Sequence, residues 1–101
     1  MQGEADPYAM AADYLTKGLY DRAAAEASRA LQRGASKAEG LSLLGDTFAR
    51  QGLHGEGLER YREARLESPS LHRAMVGEVR TLLALGRGLE ARPVAAPQRR
   101  R

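Results

Sequence analysis

The chain has 101 residues, the size of one small domain, and it contains no cysteine, which excludes disulfides, thiolate catalysis and cysteine-based metal sites. All 13 acidic residues lie in residues 1–91, whereas four of the 16 basic residues are arginines in residues 92–101, so the net charge of +3 comes from the tail. A nearly neutral body argues against a nucleic-acid-binding domain, and no stretch is long and apolar enough to predict a membrane span.

The first two helices are predicted from apolar residues at helical spacing, and no segment shows the alternation of a strand. The first begins at Asp6, a good N-cap, and Pro7, which is favoured at the first helical position, and it ends at Gly18. The second covers about residues 21–33, and Gly34 stops it.

The third and fourth helices form a second predicted pair. The third opens with a capping box, in which Ser36 is the cap and Glu39 follows three residues later, and it ends at Gly52. The fourth covers about residues 56–68, and Pro69 prevents it from continuing.

The fifth and sixth helices are predicted to be unequal. The fifth covers about residues 70–85 and carries an apolar stripe that includes Leu82, whereas the sixth begins at Leu89 and is cut to about one turn by Pro93. So short a helix would leave the stripe exposed, which predicts weak homodimer formation through the fifth helix or docking of a helix from a larger parent protein.

The two ends of the chain are predicted to lie outside the helical domain, which spans residues 6–92. Residues 1–5 are expected to be a flexible N-terminus, and residues 93–101 a basic disordered tail. The N-terminus lacks the apolar segment of a signal peptide, and together with the lack of cysteine this favours a cytoplasmic location.

A 34-residue repeat runs through the chain, because Gly18, Gly52 and Gly86 are spaced by that number of residues. Around the middle glycine, the following residues together resemble the signature of the tetratricopeptide repeat (TPR) family: Leu41, Leu44, Gly45, Phe48, Leu53, Gly57, Tyr61, Ala64 and Pro69. Residues 4–37 are similar to a first copy, residues 38–71 form the second, and residues 72–92 are similar to a truncated third.

The resemblance implies an all-α fold, a right-handed α-solenoid of antiparallel helix pairs with about two and a half repeats. Small residues such as Gly45 and Gly57 are needed where the helices of a pair cross. In the third copy Glu78 replaces a large apolar residue, and a charge at that position suits a solvated end cap.

The resemblance also implies a concave groove lined by the first helix of each pair. Its predicted partner-binding residues are Tyr8, Ala12, Leu15, Glu39, Ser42, Asp46, Arg50, Arg73, Val76, Arg80 and Leu83. Family members that grip the C-terminal carboxylate of chaperone tails use a Lys/Asn/Asn/Lys/Arg set. The equivalent positions here hold Tyr8, Ala12, Leu43, Arg73 and Gly77, and because only Arg73 fits, that activity is not expected.

No catalytic, cofactor or metal residues are predicted. His54 and His72 are the only histidines, and neither has a carboxylate three or four residues away, as a helical metal site would need. Asp46 and Glu39 share a helix face, but no apolar surround is visible that would shift a pKa for acid–base chemistry. The chain is therefore not expected to be an enzyme.

The expected function is non-catalytic binding of a peptide or helix of a partner protein in the concave groove. Two alternatives stay open. One is a structural assembly or oligomerisation module, including a fragment of a longer repeat array. The other is contact with an anion or nucleic acid through the arginine tail, Arg99 to Arg101, although nucleic acid is the less expected partner.

Overall fold

Six α-helices make up residues 6–95, the part of the chain that the computed structural model describes, and this part contains no strand. The all-helical prediction is confirmed, whereas the predictions for residues 1–5 and 96–101 lie outside the described residues. The helices are α1 Ala9–Thr16, α2 Tyr20–Gln32, α3 Lys37–Arg50, α4 His54–Glu67, α5 His72–Ala84 and α6 Gly88–Ala95.

The starts of α1 and α3 depend on short polar side chains. Ser36 Oγ accepts a hydrogen bond from the Glu39 N–H at 3.3 Å, so the predicted N-cap of α3 is present. Asp6 Oδ1 accepts a hydrogen bond from the Tyr8 N–H at 2.9 Å, and α1 begins one residue later. The first helix therefore begins about three residues later than predicted, because Asp6 caps a turn ahead of it.

The 34-residue spacing corresponds to a turn that ends α1, α3 and α5, and the same kind of turn, with Gly34 at a φ of 90° and Ala35 donating to the Ala30 carbonyl at 3.0 Å, also ends α2. Gly18, Gly52 and Gly86 have φ angles of 77°, 85° and 75°, in the left-handed region that favours glycine. At each turn the N–H of the next residue donates to a carbonyl five residues earlier, which is the Schellman arrangement. These bonds are Leu19 to Tyr14 at 2.9 Å, Leu53 to Phe48 at 2.9 Å and Arg87 to Leu82 at 2.7 Å.

The helices α3 and α4 run antiparallel. A Cβ placed on Gly57 near the start of α4 would lie 3.0 Å from the Gly45 carbonyl oxygen in the second half of α3. Towards the end of α4, Ala64 packs with Leu41 near the start of α3. The predicted role of Gly45 and Gly57 at a close helix crossing is therefore confirmed.

The helices α1, α3 and α5 form one layer, because α3 contacts both α1 and α5 as well as its sequence neighbours. The backbones of α2, α4 and α6 stay farther from one another. Side chains between the layers form three small apolar clusters, which are rich in alanine. Their buried members are Tyr8, Ala11, Ala27 and Ala30; Leu41, Ala64 and Ala74; and Leu58, Leu82 and Ala91.

The sixth helix is longer than predicted, since it continues through Pro93 and ends at Ala95. Its buried Ala91 and half-buried Val94 pack against the cluster that contains Leu82. This packing offsets the loss of a backbone donor at the proline. The prediction of a one-turn helix was therefore wrong, and the last helix extends past residue 92, where the helical domain was predicted to end.

The burial of Leu82 also corrects the prediction of an exposed stripe on α5. Leu82 has no exposed surface, because α6 covers it. The apolar side chains that remain at least partly exposed on α5 include Met75, Val76, Val79 and Leu83, which lie to one side of it. A homodimer through α5 would have to use these residues.

Glu78 on α5 is 2% exposed, contrary to the prediction of a solvated charge. Its carboxylate pairs with two arginines of α4: Arg62 Nε lies 3.0 Å from Oε2, and Arg65 Nη1 lies 2.7 Å from Oε1. Arg62 Nη2 also lies 3.6 Å from Glu90 Oε1, which links α4 to α6. These ion pairs therefore connect α4, α5 and α6: the Glu78 carboxylate is buried, whereas the contact between Arg62 and Glu90 is partly exposed.

Candidate functional site

The ring of Tyr61 passes between two glycines. It projects from α4 and is 1% exposed. A Cβ on Gly45 of α3 would lie 2.7 Å from the ring carbon Cε1, and a Cβ on Gly77 of α5 would come closer still. Because neither residue has a side chain, the ring fills the space between α3 and α5.

Asp46 is held at this point by a hydrogen bond, which the Tyr61 hydroxyl donates to Asp46 Oδ1. Burial raises the pKa of Asp46 above its usual value, while the Tyr61 hydrogen bond and the charges of Arg50, Arg80 and Arg73 act in the opposite direction. Burial, reinforced by the carboxylate, raises the pKa of Tyr61 far above its usual value, so the hydroxyl remains a donor.

A cleft of about 220 Å³ lies beside this pair, between α3 and α5, and we call it the arginine cleft. Arg50 enters it from α3 and Arg80 from α5. Within residues 6–95 neither arginine forms an ion pair, and the same is true of Arg73. The cleft is lined by Asp46, Ala49, Arg50, His54, Tyr61, Arg80, Thr81 and Ala84.

His54, the first residue of α4, adds a polar group to the wall of the arginine cleft. Its Nδ1 is buried and has no hydrogen-bond partner in the described part of the chain. A buried imidazole nitrogen without a partner is costly unless another group binds it. The imidazole therefore carries an unsatisfied buried nitrogen in a residue that lines the arginine cleft.

A second cavity, of about 410 Å³, lies between α5 and α6, and we call it the apolar groove. Leu83 is 60% exposed at its edge, and Val76 is 37% exposed. Arg80 lines this groove as well as the arginine cleft, so the two cavities are neighbours. The groove is lined by His72, Met75, Val76, Val79, Arg80, Leu83 and Val94.

Three of the predicted groove residues are buried and belong to the core instead. Tyr8 packs against Gly40, and its hydroxyl donates to the Ser36 carbonyl at 2.6 Å. Leu15 and Ser42 are buried as well. These three side chains cannot present the ligand contacts that were predicted for them, because they are buried in the fold.

The other predicted groove residues have partly or fully exposed side chains. The acidic and the basic residues of this second group lie in different parts of the surface. Glu39 and Asp46 border a small cavity of about 50 Å³ near α1, together with Asp6 and Arg73. The exposed residues among the predicted eleven are Ala12, Arg50, Arg73, Val76, Arg80 and Leu83, and the half-exposed ones are Glu39 and Asp46. This surface, the α1/α3/α5 face, is acidic towards α1 and basic towards α5.

Several residues of the site were not predicted as such, including His54, Tyr61, Gly77 and Met75. Tyr61 was identified as part of the repeat signature, and the structure buries its ring and brings its hydroxyl to Asp46. Gly77 gave no repeat signal, since the residue 34 positions earlier is Leu43. The presence of a glycine on each of two first helices of a pair, Gly45 on α3 and Gly77 on α5, could have indicated the space for the Tyr61 ring.

The described part of the chain has no group of three or more His, Asp or Glu residues that could hold a metal ion. None of its helices combines the length and the apolar character that crossing a bilayer requires. No family model matches the chain, and no curated protein matches it. Its function is therefore inferred from the α1/α3/α5 face itself.

Proposed function

We propose that this chain is a non-catalytic, TPR-like interaction module that binds a peptide segment of a partner protein on the α1/α3/α5 face. The proposal depends on one observation: cationic side chains that have no ion-pair partner within residues 6–95 stand beside exposed apolar side chains on one surface. Arg80 and Leu83, one turn apart on α5, represent the two kinds. Such a surface offers charge pairing for orientation and apolar contact for affinity.

The proposed solenoid has separate support from the fold. A left-handed turn recurs at 34-residue spacing after α1, α3 and α5, although a turn of this kind also follows α2, and α3 packs against both α1 and α5. In stacked helix pairs the layer of first helices forms an extended surface that a peptide can follow. The proposal places the ligand on that layer rather than on α2 or α4.

A peptide-display selection tests the proposal. The wild-type protein is immobilised and enriched peptides are identified, and their affinities are then measured for two variants by fluorescence anisotropy. Leu83→Glu places a charge at the edge of the apolar groove and is expected to weaken binding at least tenfold. Leu66→Glu is the matched control, because Leu66 on α4 is 83% exposed and lies away from the proposed surface.

The two variants give opposite answers if the proposal holds. Both should keep the helical circular-dichroism spectrum of the wild type, because both replace exposed residues. Selected peptides that bind Leu83→Glu as tightly as the wild type would place the binding surface elsewhere. Failure of the wild type to enrich any peptide would also contradict the proposal.

A further inference from the structure

We infer that the peptide bound on the α1/α3/α5 face carries an anionic side group that enters the arginine cleft, next to a large aliphatic side chain that enters the apolar groove. The inference depends on the proposed function and adds the chemistry of the partner. It starts from an imbalance of charge in the cleft and from the wall that the two cavities share.

The charge imbalance arises because one carboxylate, Asp46, shares the cleft with two guanidinium groups, those of Arg50 and Arg80. Asp46 lies within electrostatic range of Arg50, Arg73 and Arg80, but one of its oxygens already accepts the Tyr61 hydrogen bond. Arg73 borders the small cavity that also holds Asp6 and Glu39, so the imbalance is carried by Arg50 and Arg80, which line the cleft and form no ion pair within residues 6–95. The basic end of the face therefore keeps a net positive charge, which an anionic group from outside would complement.

The size of the cleft limits what can enter. Its volume of about 220 Å³ is below the range of roughly 300–1,000 Å³ that is typical of sites for whole small molecules. A carboxylate or phosphate group at the end of a side chain fits such a space with its water. Guanidinium groups bind both anions through paired N–H donors.

The shared wall sets the spacing of the two ligand groups. Arg80 lines both the arginine cleft and the apolar groove, so a ligand that fills both has its anionic and aliphatic groups within about one side chain of each other. Residues two apart on an extended peptide, or four apart on a helix, project to the same side at a separation of about 6–7 Å. The partner segment is therefore expected to pair an acidic or phosphorylated residue with Leu, Ile, Met or Val within four positions.

A second copy of this chain is a poorer occupant than an acidic segment. A two-fold contact through α5 would bring Arg73 and Arg80 of one copy close to the same residues of the other. On the α1/α3/α5 face α5 presents no acidic side chain to offset them, because Glu78 is buried on its other side between two arginines. Repulsion between like charges thus opposes the homodimer and favours a partner of opposite charge.

The peptides enriched by the wild-type protein provide the test. We expect them to contain an acidic residue within four positions of a large aliphatic residue more often than the unselected library does. The tightest binder is then synthesised in three forms: as selected, with its acidic residue changed to the matching amide, and with phosphoserine at that position. The amide form should bind about tenfold more weakly, which corresponds to the loss of about 1.4 kcal/mol. The phosphoserine form distinguishes a carboxylate site from a phosphate site by which of the two binds more tightly.

Single variants assign the effect to the cleft. Arg50→Gln and Arg80→Gln should each weaken binding of the acidic peptide about tenfold and leave binding of the amide form nearly unchanged. Arg33→Gln is the control, because Arg33 is exposed, forms no ion pair in the described residues and lies at the end of α2. Equal affinity of acidic and amide forms, or equal loss in Arg33→Gln, would overturn the inference. If Leu83→Glu still abolished binding in that case, the proposed function would stand and only the partner chemistry would fall.

Discussion

Two carboxylates on neighbouring helices of this protein are withdrawn from water in different ways. Glu78 on α5 is paired at both oxygens with arginines of α4, so its charge is balanced inside the fold. Asp46 on α3 is held by a neutral tyrosine hydroxyl, and the arginines around it form no ion pair within residues 6–95. The first arrangement completes the interior, whereas the second leaves positive charge on a surface where a partner can use it.

The arginines divide in the same way. On α4, Arg60, Arg62 and Arg65 each lie within 4.0 Å of a glutamate carboxylate. On the α1/α3/α5 face, Arg50 and Arg80 have no such neighbour in the described residues. The number of arginines in the sequence therefore says little about function, because the arginines that pair with glutamates stabilise the fold, whereas the others are available to a partner.

The largest expected effect comes from isolating the Glu78 charge. Replacing Arg62 and Arg65 together with methionine leaves a carboxylate that is buried and unpaired, and we expect a loss of about 3–5 kcal/mol in the free energy of unfolding. Glu78→Met removes the buried charge and lets the two partly exposed arginines reach water, so it should change stability little. Urea unfolding measures both, and equal stability of the two variants would show that the pairing does not control the fold.

A somewhat smaller loss is expected from filling the space beside Tyr61. Gly77→Ala places a methyl group against the ring, and overpacking of this kind costs about 1–3 kcal/mol. Gly55→Ala is the control, because Gly55 lies in α4 with nothing within 4 Å of an added Cβ, and alanine favours a helix. In thermal unfolding, Gly77→Ala should have a lower midpoint temperature than the wild type, whereas Gly55→Ala should not. A lower midpoint for both variants would contradict the role assigned to the Tyr61 ring.

The Asp46 charge should make a modest contribution that depends on pH. Burial raises the pKa of Asp46 in the folded state above its unfolded value, so ionisation disfavours folding. The favourable contribution is fully present below the unfolded pKa, near 3.8, and is lost as the pH rises through the higher folded pKa. Asp46→Asn keeps an acceptor for Tyr61 and should be at least as stable as the wild type at neutral pH. That advantage should shrink as the pH falls, and an advantage that grew on acidification would reverse the assigned sign.

The smallest effect is expected where the charge has no partner within the fold. Arg80→Gln should change the free energy of unfolding by no more than about 0.5 kcal/mol, because the side chain is exposed and forms no ion pair in the described residues. Arg65→Gln is the matched comparison on α4 and should cost more, since it removes one partner of Glu78. Chemical unfolding of the two variants sharpens the contrast, and a larger loss in Arg80→Gln would mean that this arginine serves the fold.

Much of the architecture could be predicted from signals that act within a few residues. Ser36 caps α3, and glycines at positions 18, 52 and 86 end the first helix of each pair with one left-handed residue. These interactions span one turn of helix, so they are visible in a single stretch of sequence. The sixth helix was predicted wrongly because a local rule for proline was outweighed by the packing of Ala91 on a distant cluster.

The candidate site needed contacts between helices before it could be described. Tyr61 and Asp46 are 15 residues apart, and Arg62 and Glu78 are 16 apart, so no local pattern links the members of either pair. The resemblance to a repeat family supplied the residues that were predicted to line the groove, but not that Tyr8, Leu15 and Ser42 among them are buried. Helix propensity, capping and turn chemistry are properties of short segments, whereas burial and charge balance depend on what the neighbouring helix places opposite each side chain.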